Sequence, residues 1–198
     1  MLENGSIPVE TQPEPARTRP AWLSFTLEIL QTVILALLLY FMIDSVLARV
    51  RVENVSMQPT LQSGNFILVN KLAYKLGEPH YGDVIIFHPP DGSVEDYIKR
   101  VIGLPGDHVE IRDGKVFING NELYEPYIAA PPRYNYSGDV PEGHLFVLGD
   151  NRNRSSDSHE WGFVPLESVI GKALVVYWPL EEIKTLVAPT IVRAANGP

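Results

Sequence analysis

Ile111-Arg112-Asp113-Gly114-Lys115-Val116-Phe117-Ile118-Asn119-Gly120-Asn121-Glu122-Leu123 decides the fold class. Its Asp-Gly and Asn-Gly pairs sit between short runs of Val, Ile and Phe, and such pairs tolerate the left-handed backbone that a tight hairpin turn requires. Working outward, Phe66 to Val69, Val84 to Phe87, Tyr97 to Ile102, His144 to Leu148 and Ala173 to Trp178 read as further strands. Lys71 to Leu76 hints at one short helix. Ala129 to Gly143, with Pro131, Pro132, Gly138 and Pro141, reads as a surface loop. The expected domain is mostly β, built on an antiparallel sheet, without internal repeats or low-complexity tracts.

Trp22 to Ile43, WLSFTLEILQTVILALLLYFMI, breaks from that texture. As a helix at about 1.5 Å per residue it spans roughly 33 Å, close to the hydrocarbon thickness of a bilayer. Its one charge, Glu28, lies within two turns of the N-terminal end. Two other readings compete with a membrane anchor: a cleaved secretory signal, for which Val46 and Ala48 offer small residues, and a buried core helix. The long, partly acidic leader and an apolar stretch beyond the usual ~7–15 residues weigh against the signal. The absence of a polar stripe over Val33 to Ile43 weighs against the core helix. The expected organisation is a flexible tail over 1–20, an anchor over 21–43, a β-rich catalytic domain over 44–179 and a C-terminal tail over 180–198. Arg17 and Arg19 on one side balance Arg49 and Arg51 on the other, so counting positive charges does not orient the span. TLVAPTIV, within the C-terminal tail, is too short to cross a bilayer and is interrupted by Pro189.

The 198 residues contain no cysteine, which excludes a disulfide framework, a thiol nucleophile, an Fe–S cluster and a Cys-based zinc site. Any nucleophile has to come from Ser, Thr, Lys or a carboxylate. With 16 basic against 24 acidic residues the net charge is −8, and clustered Lys and Arg for neutralising phosphates are missing. Nucleic acid is therefore not an expected partner.

Four segments carry the candidate chemistry. Val55 to Leu61 places Ser56 before a proline-constrained turn. Asp96 to Asp107 places Lys99 inside a strand, with Tyr97 and Val101 on its side and Ile98 and Ile102 on the other. Desolvation disfavours an ammonium ion and turns a lysine into a usable base near neutrality; the alternative is a stem laid along the sheet with its charge in water. Gly149 to Gly162 reads as a solvated loop, an oxygen-ligand metal site or a shell positioning other residues. Arg152 occupies what would be a calcium-ligand position, and Asp157 with His159 lacks a third ligand at suitable spacing, so no metal is expected. Tyr81 to Phe87 reads as a turn entering a buried strand. His80, His88, His108, His144 and His159 sit in no recognisable triad context, and no G-x-S-x-G elbow occurs. A buried lysine is the other base that can serve a serine.

In this order, behind one N-terminal anchor, SMQPTL, YGDVIIF, YIKRVIGLPGD and GDNRNRSSDSHEWGFVP closely resemble the bacterial type I signal peptidases. These are membrane-bound Ser/Lys proteases that remove signal peptides from exported proteins, and the match covers most of Val50 to Pro165. The resemblance implies that Ser56 is the nucleophile and Lys99 the general base, working through an ester acyl-enzyme without a cofactor. It assigns Ser155 to orienting the lysine amine, Asp157 to supporting the site, Arg100 to pairing with Asp157, and Asp150 to an acid in the same loop. The oxyanion would be held by the Ser56 N–H and, in many members, by a Ser or Thr hydroxyl two residues earlier. This chain has Asn54 there, which either donates its amide or turns away. His159 stands where an Arg is common. Met57, Leu61, Tyr97 and Ile98 match positions lining shallow apolar pockets suited to an Ala-x-Ala site, or they are core. Signal-peptide-bearing precursors and the lipid bilayer are the implied partners. The resemblance also implies a single pass through the plasma membrane, with the tail in the cytoplasm and Ser56 outside. A tether a dozen residues from the catalytic serine would raise the effective concentration of bilayer-held substrates. Two alternatives remain: a Ser/Lys self-cleaving repressor-type protease, which needs DNA-binding basic helices, and a tethered β-domain that only binds.

Overall fold

The N-terminal apolar run forms one helix, α1 (Ala21–Val46), in the computed structural model, which describes residues 21–90 and 92–186. Its segment Phe25–Val46 has a mean hydropathy of 2.1 and none of it is buried. Leu, Ile, Val and Phe occupy its circumference and are exposed among the described residues, which suits a helix long enough to cross a membrane. The tail 1–20 lies outside the described residues.

From Ile43 onward the chain forms a separate unit of strands. β1 (Leu47–Arg51), β2 (Phe66–Asn70), the short α2 (Ala73–Leu76), β3 (Val84–Phe87) and β4 (Tyr97–Gly103) come first. β5 (His108–Arg112), β6 (Lys115–Ile118), β7 (Asn121–Glu122), β8 (Tyr136–Asp139) and β9 (His144–Leu148) follow. The chain then adds α3 (Ser158–Trp161), β10 (Val164–Pro165), β11 (Val169–Trp178) and β12 (Lys184–Thr185). All described pairings are antiparallel. One sheet has the order β1-β2-β11-β3-β4-β9-β10, with β12 against β11; the other runs β7-β6-β5-β8. The fold is mostly antiparallel β, as the turn chemistry predicts. Asp113 and Gly114 both have positive φ, at 50° and 73°, as do Asn119 and Gly120, at 52° and 79°. These left-handed pairs close β5 onto β6 and β6 onto β7.

Two features centre the sheet on β4. Its residues from Lys99 to Gly103 are buried, and it lies between β3 and β9. Ile102 joins a cluster with Val109, Ile111 and Phe146, whereas Val101 joins one with Ile85, Phe87 and Val147, so both faces of the strand are packed. A third cluster, around Leu61, Ile67, Val69, Ile86 and Val176, anchors β2, β3 and β11 beneath the turn that carries Ser56. Register shifts along β11 bend it, which lets this ten-residue strand pair with β2, β3 and β12.

Two boundaries differ from the sequence reading. Residues 129–143 are not wholly loop: β8 pairs with β5, and Tyr136 turns its ring onto Phe146 with centroids 4.7 Å apart. The preceding prolines mask a strand that exists because of a distant partner. The β domain also continues past residue 179, because β12 pairs with β11, the Leu186 N–H donates to the Leu174 carbonyl (2.8 Å), and Leu186 enters the core. Residues 187–198, with the rest of TLVAPTIV, lie outside the described residues.

Candidate active site

Ser56 heads a tight turn. The Gln58 N–H donates to the Val55 carbonyl (3.1 Å) and the Leu61 N–H to the Met57 carbonyl (2.8 Å). Met57 and Leu61 are buried, pinning the turn into the core and leaving Ser56 half-buried at its head. The loop after β9 straps this turn from the other side. The Asn151 N–H donates to the Ser56 carbonyl (2.9 Å), and the Asn151 side-chain Nδ2 donates to the Val55 carbonyl (3.1 Å). Gly149 permits the close approach: a Cβ at that position would collide with the Ser155 hydroxyl and the Ser56 carbonyl. Ser56, Gly149, Asn151 and Ser155 thus meet at one point.

Lys99 comes from β4, opposite Ile85 of β3, and is only 4% exposed. Its Nζ lies over the Tyr97 ring, 5.2 Å from the centroid, and that ring meets Phe87 edge-on. Lys99 and Ser56 line the same open groove of about 590 Å³. Residues 50–57 and residues 94–99 contribute most of its lining, joined by Arg154 and Ser156. Asn54, Met57, Tyr97 and Ile98 line it as well. Leu61 does not: it is 0% exposed and belongs to the core cluster, so its position serves packing. The Ser155 Oγ is buried without a hydrogen-bond partner among the described residues, leaving its capacity to donate and accept unspent.

The ionic support differs in one pairing from the sequence reading. Arg100 pairs with Asp150, not Asp157: its Nε and Nη2 donate to the two carboxylate oxygens at 2.8 and 2.6 Å, and its Nη1 to the Gly82 carbonyl at 2.8 Å. Consecutive strand residues project to opposite faces, so Arg100 turns away from the groove that Lys99 enters. Asp157 instead accepts the Gly149 N–H (2.9 Å) and contacts His159 Nδ1 (2.6 Å). The His159 ring stacks on Tyr134, centroids 3.7 Å apart and planes 9° from parallel. His159 therefore keeps a contact with Asp157 although it is not an Arg. Burial, reinforced by the Asp157 carboxylate, pushes the Tyr134 phenol well above its ordinary range. Among the described residues no three His, Asp or Glu side chains gather as a metal site would need.

Sequence reasoning missed a second buried pair. Arg152 donates from Nε to the Gly149 carbonyl (3.0 Å) and from Nη1 and Nη2 to the two oxygens of Glu125 (2.8 and 2.5 Å). Tyr127 completes it: its hydroxyl donates to Glu125 (2.8 Å), and the Arg100 guanidinium lies 4.1 Å from its ring centroid, that of Arg152 6.0 Å. Glu125-Pro126-Tyr127 carries no signal beyond one carboxylate beside a proline. Its role depends wholly on residues distant along the chain.

Comparison with known proteins agrees with these motifs. The family described as signal peptidase, peptidase S26, matches residues 26–178. The chain is 42% identical over 167 residues to a probable signal peptidase I-2 of Synechocystis sp., covering 81% of this chain and 77% of that protein. It is 40% identical over 197 residues to a signal peptidase I of Leptolyngbya laminosa, covering 94% and 97% respectively. A signal peptidase I of Bacillus caldolyticus is 41% identical over 146 residues, covering 66% of this chain and 79% of that one.

Proposed function

The chain belongs to the signal peptidase family, peptidase S26, and on that premise we propose how its groove cleaves a substrate. It is a serine endopeptidase that removes signal peptides from precursor proteins. Ser56 is the nucleophile and Lys99 the general base. The neutral Lys99 amine takes the hydroxyl proton as Oγ bonds to the scissile carbonyl carbon. The resulting oxyanion is held by the Ser56 N–H, with the Asn54 amide as second donor. Collapse breaks the C–N bond, and Lys99 returns its proton to the leaving amine, the new N-terminus of the mature protein. The signal peptide stays as an ester on Ser56 until water, deprotonated by Lys99, releases it as a carboxylate and restores the hydroxyl.

The observation that carries this reading is the near-complete burial of Lys99 on the wall of the groove that Ser56 also lines. Burial disfavours an ammonium ion relative to the neutral amine that a base must be. Ser155, whose buried hydroxyl has its hydrogen-bonding capacity unspent, is the residue that takes up the Lys99 amine when substrate fills the groove. Asp157 steadies Gly149, and the Arg100–Asp150 pair steadies the start of the same loop. Met57, Tyr97 and Ile98 form the shallow apolar lining that accepts small residues of an Ala-x-Ala site. Residues 21–43 anchor the enzyme in the plasma membrane, with the N-terminus cytoplasmic and the catalytic domain outside. The bilayer thereby confines it to the surface that presents its substrates.

Cleavage of a signal-bearing precursor by the full chain in detergent tests the dyad. Ser56→Ala and Lys99→Ala should each lower kcat by about 10³-fold or more, while chelators leave it unchanged. Retained cleavage by Lys99→Ala would reject Lys99 as the base.

A further inference from the structure

Resting on the reading of Ser56 as nucleophile, we infer that Glu125 is a positioning residue for the reaction, acting through Arg152 on the main-chain strap that holds the Ser56 turn. Glu125 lies outside all four motifs and does not line the groove. Its carboxylate is nonetheless 6% exposed and meets a guanidinium that is 0% exposed, in a two-pronged contact at 2.5 and 2.8 Å. Such a fork fixes the plane of the guanidinium as well as its position. The third donor of that plane, Nε, is thereby aimed at the Gly149 carbonyl, 3.0 Å away.

Gly149 is the residue at which an added Cβ would strike both serines, and two residues on Asn151 takes hold of the Val55 and Ser56 carbonyls. The Val55–Ser56 peptide is a planar unit, and it is not among the cis bonds of the chain. Its carbonyl and its N–H therefore point in opposite directions. Fastening the Val55 carbonyl to Asn151 consequently sets where the Ser56 N–H points, and that N–H is the oxyanion donor. Glu125 stands at the far end of this chain of contacts, through Arg152, Gly149 and Asn151 to the Ser56 peptide. Tyr127 closes it from the side, donating to Glu125 and stacking under Arg100, whose carboxylate partner Asp150 is the residue between Gly149 and Asn151. Two buried cations hold the strap at two successive residues, Arg152 at Gly149 and Arg100 at Asp150, and the first of them is held by Glu125.

An effect on the orientation of an oxyanion donor appears in the transition state, whereas the groove lining that binds substrate is untouched. Glu125→Gln in the full-length enzyme, assayed on a precursor peptide well below its melting temperature, should lower kcat about 10- to 100-fold with KM within about twofold. Combined with Asn151→Ala it should cost little beyond Asn151→Ala alone, because the two act along one route. Unchanged kcat in the folded Glu125→Gln enzyme, or strictly additive losses in the double variant, would overturn the inference. Should Glu125→Gln leave Arg152 buried without a counter-charge and fail to fold, Glu125→Gln/Arg152→Met removes both charges and is read instead. That variant should recover the melting temperature while kcat stays low; recovery of both would overturn the inference. Ser56→Ala is measured alongside: if it cleaves, the reading of Ser56 fails, whereas a dead Ser56→Ala beside a normal Glu125→Gln defeats only the role of Glu125.

Discussion

Replacing Gly149 by alanine measures how tightly the strap controls Ser56. A Cβ built at Gly149 stands 2.5 Å from the Ser56 carbonyl oxygen and 2.6 Å from Ser155 Cβ. Since a Cβ needs about 3.0 to 3.4 Å from such a neighbour, the Ser56 carbonyl has to retreat by about 0.5 to 0.9 Å. It cannot do so freely, because Asn151 holds it at 2.9 Å and the next residue, Met57, is buried in the core. Overpacking of this kind costs about 1–3 kcal/mol, which for a domain of this size lowers Tm by roughly 2–10 °C. The larger consequence is kinetic. With Ser56 as the proposed nucleophile, a displacement of about 1 Å costs on the order of 10²-fold in rate. The assay is single-turnover cleavage of an Ala-x-Ala precursor peptide by the folded variant, with Tm followed by calorimetry. A kcat/KM loss near 10²-fold carried by kcat is the expected result. A Tm that falls while kcat stays within threefold would refute the view that the strap positions Ser56.

Two further outcomes follow from the buried charges and phenols. Asp150→Asn strands the Arg100 guanidinium, 3% exposed, without its carboxylate and should destabilise the fold by about 3–5 kcal/mol in urea unfolding, whereas Arg100→Met/Asp150→Leu should recover most of that loss. The phenols of Tyr74, Tyr81, Tyr127 and Tyr134 are each pushed up by burial first, aided by Asp83, Asp107, Glu125 and Asp157 respectively. Their protons are held in the folded state and released near pH 10 in the unfolded chain. Stability from this source is complete below pH 10 and declines as pH rises above it. The urea midpoint should fall between pH 10 and 11.5 while absorbance at 295 nm shows these tyrosines still protonated before unfolding.

What was legible in the sequence was local. The Asp113–Gly114 and Asn119–Gly120 turns announce themselves because positive φ is a property of the residues that adopt it. β8 was hidden because Pro131, Pro132 and Gly138 advertise a loop, while its strand character comes from pairing with β5. At the site, motif order led to the groove that Ser56 and Lys99 line together. Which acid faces Arg100 was not legible, since Asp150 and Asp157 lie in one loop and only the folded strap distinguishes them. Glu125 was invisible for the same reason: a carboxylate acquires its role from the cation that the fold delivers to it.

β4 places its two cations side by side in sequence, one turned into the cleft and the other clasped behind it. A strand side chain changes sides with every step along the backbone. Slipping this segment by a single position would exchange an amine that can give up its proton for a guanidinium that never does. The stretch Tyr97–Gly103 is thus intolerant of inserted or deleted residues in a way that the exposed residues 92–96 leading into it are not. Length, as much as residue identity, keeps this hydrolase in working order.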